Sequence, residues 1–145
     1  MKKHKFSCER GGLTIRGNLF QPEGENLPIA ILSHGFMANQ STMKGYAQAA
    51  AELGFAAFTY DFCGGCLWGR SDGKTTDMSV LTEVEDLKAV IAYASSLPFT
   101  DESRIVLIGA SQGGFVSALT AAQMGNKIER LVLFYPALCI PDDAR

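Results

Sequence analysis

Apolar residues recur along the chain in two ways, as short runs and as longer segments with three- and four-residue spacing. Leu13, Ile15, Gly17 and Leu19 alternate with polar partners, and Gly11-Gly12 joins them to Phe6–Arg10. Alternation on either side of a two-residue glycine turn predicts a β-hairpin, which Pro22 and Gly24 close. Ile29-Ala30-Ile31-Leu32 is continuously apolar, the pattern of a strand covered on both faces. Phe55–Tyr60, Arg104–Ile108 and Ile128–Tyr135 read the same way.

Helical spacing fills the intervals. Tyr46, Ala49, Ala50 and Leu53 form one stripe behind the capping candidates Ser41 and Thr42, and Gly54 ends it. Thr82 with Glu85 three residues on predicts a capping box for a second helix, whose stripe is Val84, Leu87, Ile91 and Ala94 and whose end is marked by Pro98. Phe115, Ala118, Leu119 and Ala122 give the third. A hairpin followed by β-α-β-α-β-α-β predicts the α/β class, a mostly parallel sheet with helices on both faces, entered through an antiparallel edge. Ligands of such sheets bind beyond the carboxyl ends of the strands, so the residues after each buried run are where chemistry is sought.

Composition narrows the function classes. The 145 residues carry 13 Lys+Arg against 15 Asp+Glu, with 19% charged and 47% hydrophobic residues. This is the make-up of one ordinary domain, with no basic field for nucleic acid and no partner of that kind expected. Met1–Lys5 is basic but is followed by Ser7, Cys8, Glu9 and Arg10 rather than an apolar run, and no segment approaches the ~18 apolar residues of a membrane helix. A cytoplasmic location without membrane partners is the expectation. Cys8, Cys63, Cys66 and Cys139 are too scattered for a disulfide framework. Cys63-Gly64-Gly65-Cys66 has redox or zinc spacing, but the chain has only His4 and His34 to add to it, so a loop carrying two thiols is expected and no metal or cofactor is implied.

The third buried strand runs into Gly109-Ala110-Ser111-Gln112-Gly113, a G-x-S-x-G motif between a strand and a helix. In that context a serine occupies a sharp, strained turn, and the flanking glycines let strand and helix backbones approach while its Oγ projects outward. Ser111 is the candidate nucleophile; the alternative is a serine that caps the following helix. An acyl-transfer site also needs an oxyanion hole, one N–H from the residue after the nucleophile and one from the loop after an earlier strand. Gln112 supplies the first. Ser33-His34-Gly35-Phe36 follows the first buried strand, so Phe36 supplies the second, with Met37 as the alternative. His34 precedes the serine and adjoins this turn, which fits a loop-holding role better than that of base.

These stretches resemble the α/β-hydrolase family, and within it bacterial cinnamoyl/feruloyl esterases and their lipase-like, serine aminopeptidase S33-type relatives. The resemblance rests on His34-Gly35-Phe36, on Tyr60-Asp61-Phe62 leading through Gly69-Arg70-Ser71-Asp72-Gly73 to Asp77-Met78-Ser79-Val80, and on Gly109–Gly114. It implies a serine hydrolase of carboxylic esters acting on a small-molecule ester, with Ser111 as nucleophile and Phe36 and Gln112 as the oxyanion hole. Relatives that transfer acyl groups share these residues.

Two departures qualify the resemblance. The loop that reads D-x-x-G-x-G-x-S in relatives is three residues longer here, with Cys66, Leu67 and Trp68 inserted. Trp68 is expected either to line an acyl pocket or to pack locally. More consequentially, the family's order is Ser, then Asp/Glu, then His, and no histidine follows Ser111. Residues 1–145 are therefore expected to form the N-terminal portion of the fold, ending after the sixth strand, with Asp142 and Asp143 as solvated tail. Alone, such a chain is expected to be an inactive truncated hydrolase or an interaction module, since a serine hydrolase without its base retains only about 10³–10⁴ over water. Residues 128–135 then form an apolar edge strand, a site of self-association.

Overall fold

The computed structural model describes residues 1–66 and 68–138. Its frame is one six-stranded sheet: β1 (Lys2–Arg10), β2 (Leu13–Gln21), β3 (Leu27–Ser33), β4 (Ala56–Tyr60), β5 (Thr100–Ala110) and β6 (Arg130–Phe134), in the order β1-β2-β4-β3-β5-β6. The hairpin pairs antiparallel, with Phe6 opposite Gly17, and β2 runs antiparallel to β4. From β4 onward every pairing is parallel, as the continuous apolar runs require. Three helices, α1 (Lys44–Glu52), α2 (Val80–Ser95) and α3 (Gln112–Met124), make the crossovers. None of the helices described is long and apolar enough to cross a membrane.

Two apolar clusters lie on the two faces of the sheet. Ile15, Ile29, Phe58, Leu87, Leu107 and Val116 belong to the larger, under α2 and α3, and Phe20, Leu32, Met43 and Ala47 to the smaller, under α1. Gly17 is required by packing: a Cβ there would meet the Thr59 carbonyl oxygen at 2.1 Å and the Phe6 ring at 2.6 Å.

Several elements are phased differently from the sequence expectation. α2 starts earlier, at a capping box between Ser79 and Thr82: the Ser79 side chain accepts from the Thr82 N–H, and Thr82 Oγ1 accepts from the Ser79 N–H. Starting there brings Val80 onto the core, which a Thr82 cap would leave outside the helix. α1 buries Ala47, Ala50 and Ala51, while Tyr46 is 42% and Leu53 79% exposed. Small alanines let the helix sit close to the sheet, and Tyr46 instead stacks on Phe134, ring centroids 4.7 Å apart. α3 buries Gly113, Val116, Ser117 and Thr120, and Ala122 is exposed. Its phase is set by Gly113, whose Cα side faces the Ser33 and His34 carbonyls. β5 extends back to Thr100, pairing with Leu27 before a register shift at Pro28/Ile29. β6 is shorter than expected, since Gly125–Lys127 forms a 3-10 turn that takes the Ile128 N–H, and Tyr135 has φ 41°.

Candidate active site

Ser111 lies at the carboxyl end of β5 with φ 54° and ψ −120°, a backbone conformation that costs a non-glycine residue about 1–3 kcal/mol. The neighbouring chain holds it there. Its N–H donates to the Phe134 carbonyl at 2.8 Å, and its carbonyl accepts from the N–H groups of Gly114, Phe115 and Ala137. The glycines on either side are needed for contact between backbones. A Cβ on Gly109 would stand 2.4 Å from the Gly113 carbonyl oxygen, and one on Gly113 would stand 2.3 Å from those of Ser33 and His34. The alternative that Ser111 caps α3 does not hold: its side chain makes no cap hydrogen bond, and the residue is exposed.

The His34-Gly35-Phe36 turn packs against this serine. A Cβ on Gly35 would lie 3.4 Å from Ser111 Cβ and 4.0 Å from Ser111 Oγ. His34 is 1% exposed; its Nε2 accepts from the Phe62 N–H at 3.1 Å, so Nδ1 carries the proton and donates to the Gly35 carbonyl at 2.7 Å. Burial pushes the imidazole pKa down, so it stays neutral with both nitrogens engaged, holding the loop after β3 to the loop after β4. Among the described residues the Phe36 N–H has no acceptor, and the Gln112 N–H, the first amide of α3, has no intrahelical one. Phe36 and Met37 are 62% and 40% exposed, Met37 at φ 56°.

Buried carboxylates tie the surrounding loops down. Asp61, 2% exposed, accepts from the Gln40 N–H (2.7 Å), Gln40 Nε2 (3.2 Å) and the Arg70 N–H (2.8 Å), joining the loop after β3 to the glycine-rich loop. Asp86 accepts from the Cys63 N–H at 2.9 Å and from Arg10 Nε at 2.7 Å. Glu83 accepts from Gln112 Nε2 at 2.6 Å. Burial, with some help from Asp86, pushes the Glu83 carboxyl up to about 7.

Burial and the neighbouring Asp86 push the Cys63 thiol up to about 12, which makes it a poor nucleophile, and no metal-holding group of His, Cys, Asp and Glu occurs among the described residues. Trp68 is 88% exposed rather than packed locally, and it flanks a polar groove of about 690 Å³ with Lys3, Lys5, Lys44 and Arg70. Leu67, Cys139, Asp142 and Asp143 lie outside the described residues.

With this geometry the chain can be compared with known proteins. A family model described as serine aminopeptidase, S33, matches residues 24–145. The chain belongs to that family. Similar structures include that of Est1E from Butyrivibrio proteoclasticus with bound ferulic acid, at a TM-score of 0.89 and 30% identity over 97% of this chain and 56% of that one. The α/β-hydrolase fold expected from the sequence is thereby established. An uncharacterized 31.7 kDa Escherichia coli protein from the traX-finO intergenic region is 37% identical over 122 residues, 83% of this chain and 40% of its own. The monoacylglycerol lipase of Mycolicibacterium smegmatis is 29% identical over 94% of this chain and 47% of its own. The chain thus spans less than half the length of these two relatives.

The sequence reading missed Glu83, Asp86 and Asp61 as parts of this site. For the first two a signal existed: both fall in phase with the apolar stripe of α2, where a carboxylate must find a buried partner. Asp61 stood in the Tyr60-Asp61-Phe62 stretch that carries the family resemblance, but nothing in the sequence pointed to its partners Gln40 and Arg70.

Proposed function

We propose that this family member carries the nucleophile side of a carboxylic-ester hydrolase. Ser111 Oγ attacks the ester carbonyl to form an acyl-enzyme, the alcohol leaves, and water then releases the acid. The N–H groups of Gln112 and Phe36 stabilise the oxyanion of each tetrahedral intermediate. The observation that carries this reading is the strained Ser111 turn, whose side chain makes no cap hydrogen bond and which is flanked by the Gln112 amide, free of any intrahelical acceptor, and by the His34-Gly35-Phe36 turn, whose Phe36 N–H has no acceptor among the described residues. Phe36 and Met37 offer apolar surface beside the turn, favouring a hydrophobic or aromatic acyl group. The solved Est1E structure, with its ferulic acid, supports the same direction.

Proton transfer needs a partner that these residues do not place at Ser111. His34 is engaged through both nitrogens, and His4 belongs to the hairpin strand β1. The base is therefore expected from residues other than those described, and full turnover from a protein that contains it together with its acid. Hydrolysis of p-nitrophenyl esters by that protein is expected to fall by at least about 10³-fold on Ser111→Ala. Unchanged turnover would overturn the assignment.

A second reading is favoured by one observation. β6 ends the sheet among the described strands, and Leu131 and Val132 are 38% and 40% exposed along it. An open apolar edge pairs with another strand, here that of a second copy. The 145-residue chain is then expected to sediment as a dimer or larger, and Val132→Lys to shift it toward monomer; a monomeric wild-type chain would exclude this.

A further inference from the structure

Glu83 is an expensive residue for its position. It is 2% exposed on the inner face of α2, beside Val84 and Leu87 and three residues from a second buried acid, Asp86. Burying a carboxylate against a neutral partner costs stability that an apolar side chain would not. Asp86 has a guanidinium partner, whereas the hydrogen bond Glu83 makes is to the neutral amide of Gln112, 2.6 Å away. Met78 Sδ lies 4.0 Å from the same Gln112 nitrogen. Gln112 follows Ser111 directly and opens α3, so this bond fixes the side chain of the residue whose backbone N–H faces out of the helix end. α2 thereby reaches both loops of the site, with Asp86 on the Cys63 N–H and Glu83 on the Ser111 turn.

We propose that Glu83 is a positioning residue for the oxyanion site: by holding the Gln112 side chain against α2, it fixes the direction of the Gln112 backbone N–H at Ser111. This rests on the esterase reading above. Glu83 acts only through Gln112 and touches no substrate. Without the bond, the first turn of α3 is free to rock about the strained Ser111, and the amide no longer meets a developing oxyanion in one geometry. Small displacements of that kind are costly in rate, because the donor must be in place before charge develops.

The test is the rate at which a fluorophosphonate modifies Ser111 in the full 145-residue chain, followed by mass spectrometry alongside thermal unfolding. In that reaction Ser111 Oγ bonds to phosphorus, fluoride leaves, and the serine proton passes to water. The phosphoryl oxygen takes the place of the oxyanion. Glu83→Leu is expected to stay folded, with unchanged or higher thermal stability, and to react about tenfold more slowly. Glu83→Gln, which keeps a hydrogen-bonding group at the same reach, is expected to retain most of the wild-type rate. Gln112→Met keeps the backbone N–H but removes the side-chain bond, and is expected to match Glu83→Leu. The double variant is expected to be no slower than either single one, since both remove one interaction. The Gln112→Met and Glu83→Gln results decide the matter should Glu83→Leu fail to fold. Wild-type rates in folded Glu83→Leu or in Gln112→Met, or losses that multiply in the double variant, would overturn the positioning role while leaving Ser111 as nucleophile. Ser111 that stays unmodified even in a protein that also carries the base would overturn the esterase reading and this proposal with it.

Discussion

Gln112 Nε2 and Glu83 Oε1 lie 2.6 Å apart, joining the turn that bears Ser111 to the buried face of α2. The carboxyl in this pair titrates near neutrality, pushed up to about 7 from an ordinary 4.5, chiefly by burial. Two neighbouring groups bear on it: Asp86 on α2, whose charge raises it further, and Gln112 on α3, whose hydrogen bond lowers it; Asp86 is itself paired with Arg10 on β1. Between pH 4.5 and 7 the folded state holds a proton that the unfolded state has released, so stability falls as pH rises through that window. A shift of this size corresponds to about 3 kcal/mol. Glu83→Gln is expected to remove this loss, so that urea unfolding shows the variant more stable than wild type at pH 8 and much closer to it at pH 5. A stability difference that is the same at both pH values would contradict the assignment.

Gly113 has no room for a side chain. A Cβ there would lie 2.3 Å from two carbonyl oxygens, both backbone atoms that cannot move aside cheaply. Gly113→Ala is expected to destabilise the chain by about 3 kcal/mol or more, since strand and helix would have to separate. Chemical denaturation measures this, and a loss below about 1 kcal/mol would mean that the turn is looser than its geometry.

Asp61 holds two loops with three N–H groups, two of them from Gln40. Asp61→Ala would leave the buried Gln40 amide unsatisfied, at a cost of about 1–3 kcal/mol per lost partner. The expected signature is local: faster hydrogen exchange at Gln40 and Arg70, with the β5 core amides changed only as far as global stability falls. Uniform loss of protection, with no extra effect at these two amides, would contradict a loop-holding role.

The succession of strands and helices, the parallel sheet with its antiparallel hairpin, and the Ser111 turn were legible because all depend on backbone sterics. Runs such as Ile29–Leu32 are apolar on both faces only in a covered parallel sheet, and glycines at 109 and 113 leave few other uses for a serine between them. Helix phase was less legible where small residues do the packing. Hydrophobicity picks out Tyr46 and Leu53, but close approach to the sheet selects Ala47, Ala50 and Ala51. The capping box was ambiguous because Ser79-x-x-Thr82 and Thr82-x-x-Glu85 both fit, and only Val80 meeting the core separates them. The polar braces were least legible. Glu83 to Gln112 spans 29 positions and Asp61 to Gln40 spans 21, and no local pattern encodes such pairings.

The nucleophilic role of Ser111 is tested most directly by exposing the purified chain to a fluorophosphonate and mapping the modified peptide by mass spectrometry, with Ser111→Ala treated in parallel. The expected result is one phosphonyl adduct on Ser111, formed slowly because no described group is placed to take its proton, and no adduct in the alanine variant. Modification that persists in Ser111→Ala, or none on Ser111 even in a protein that also carries the base, would contradict it.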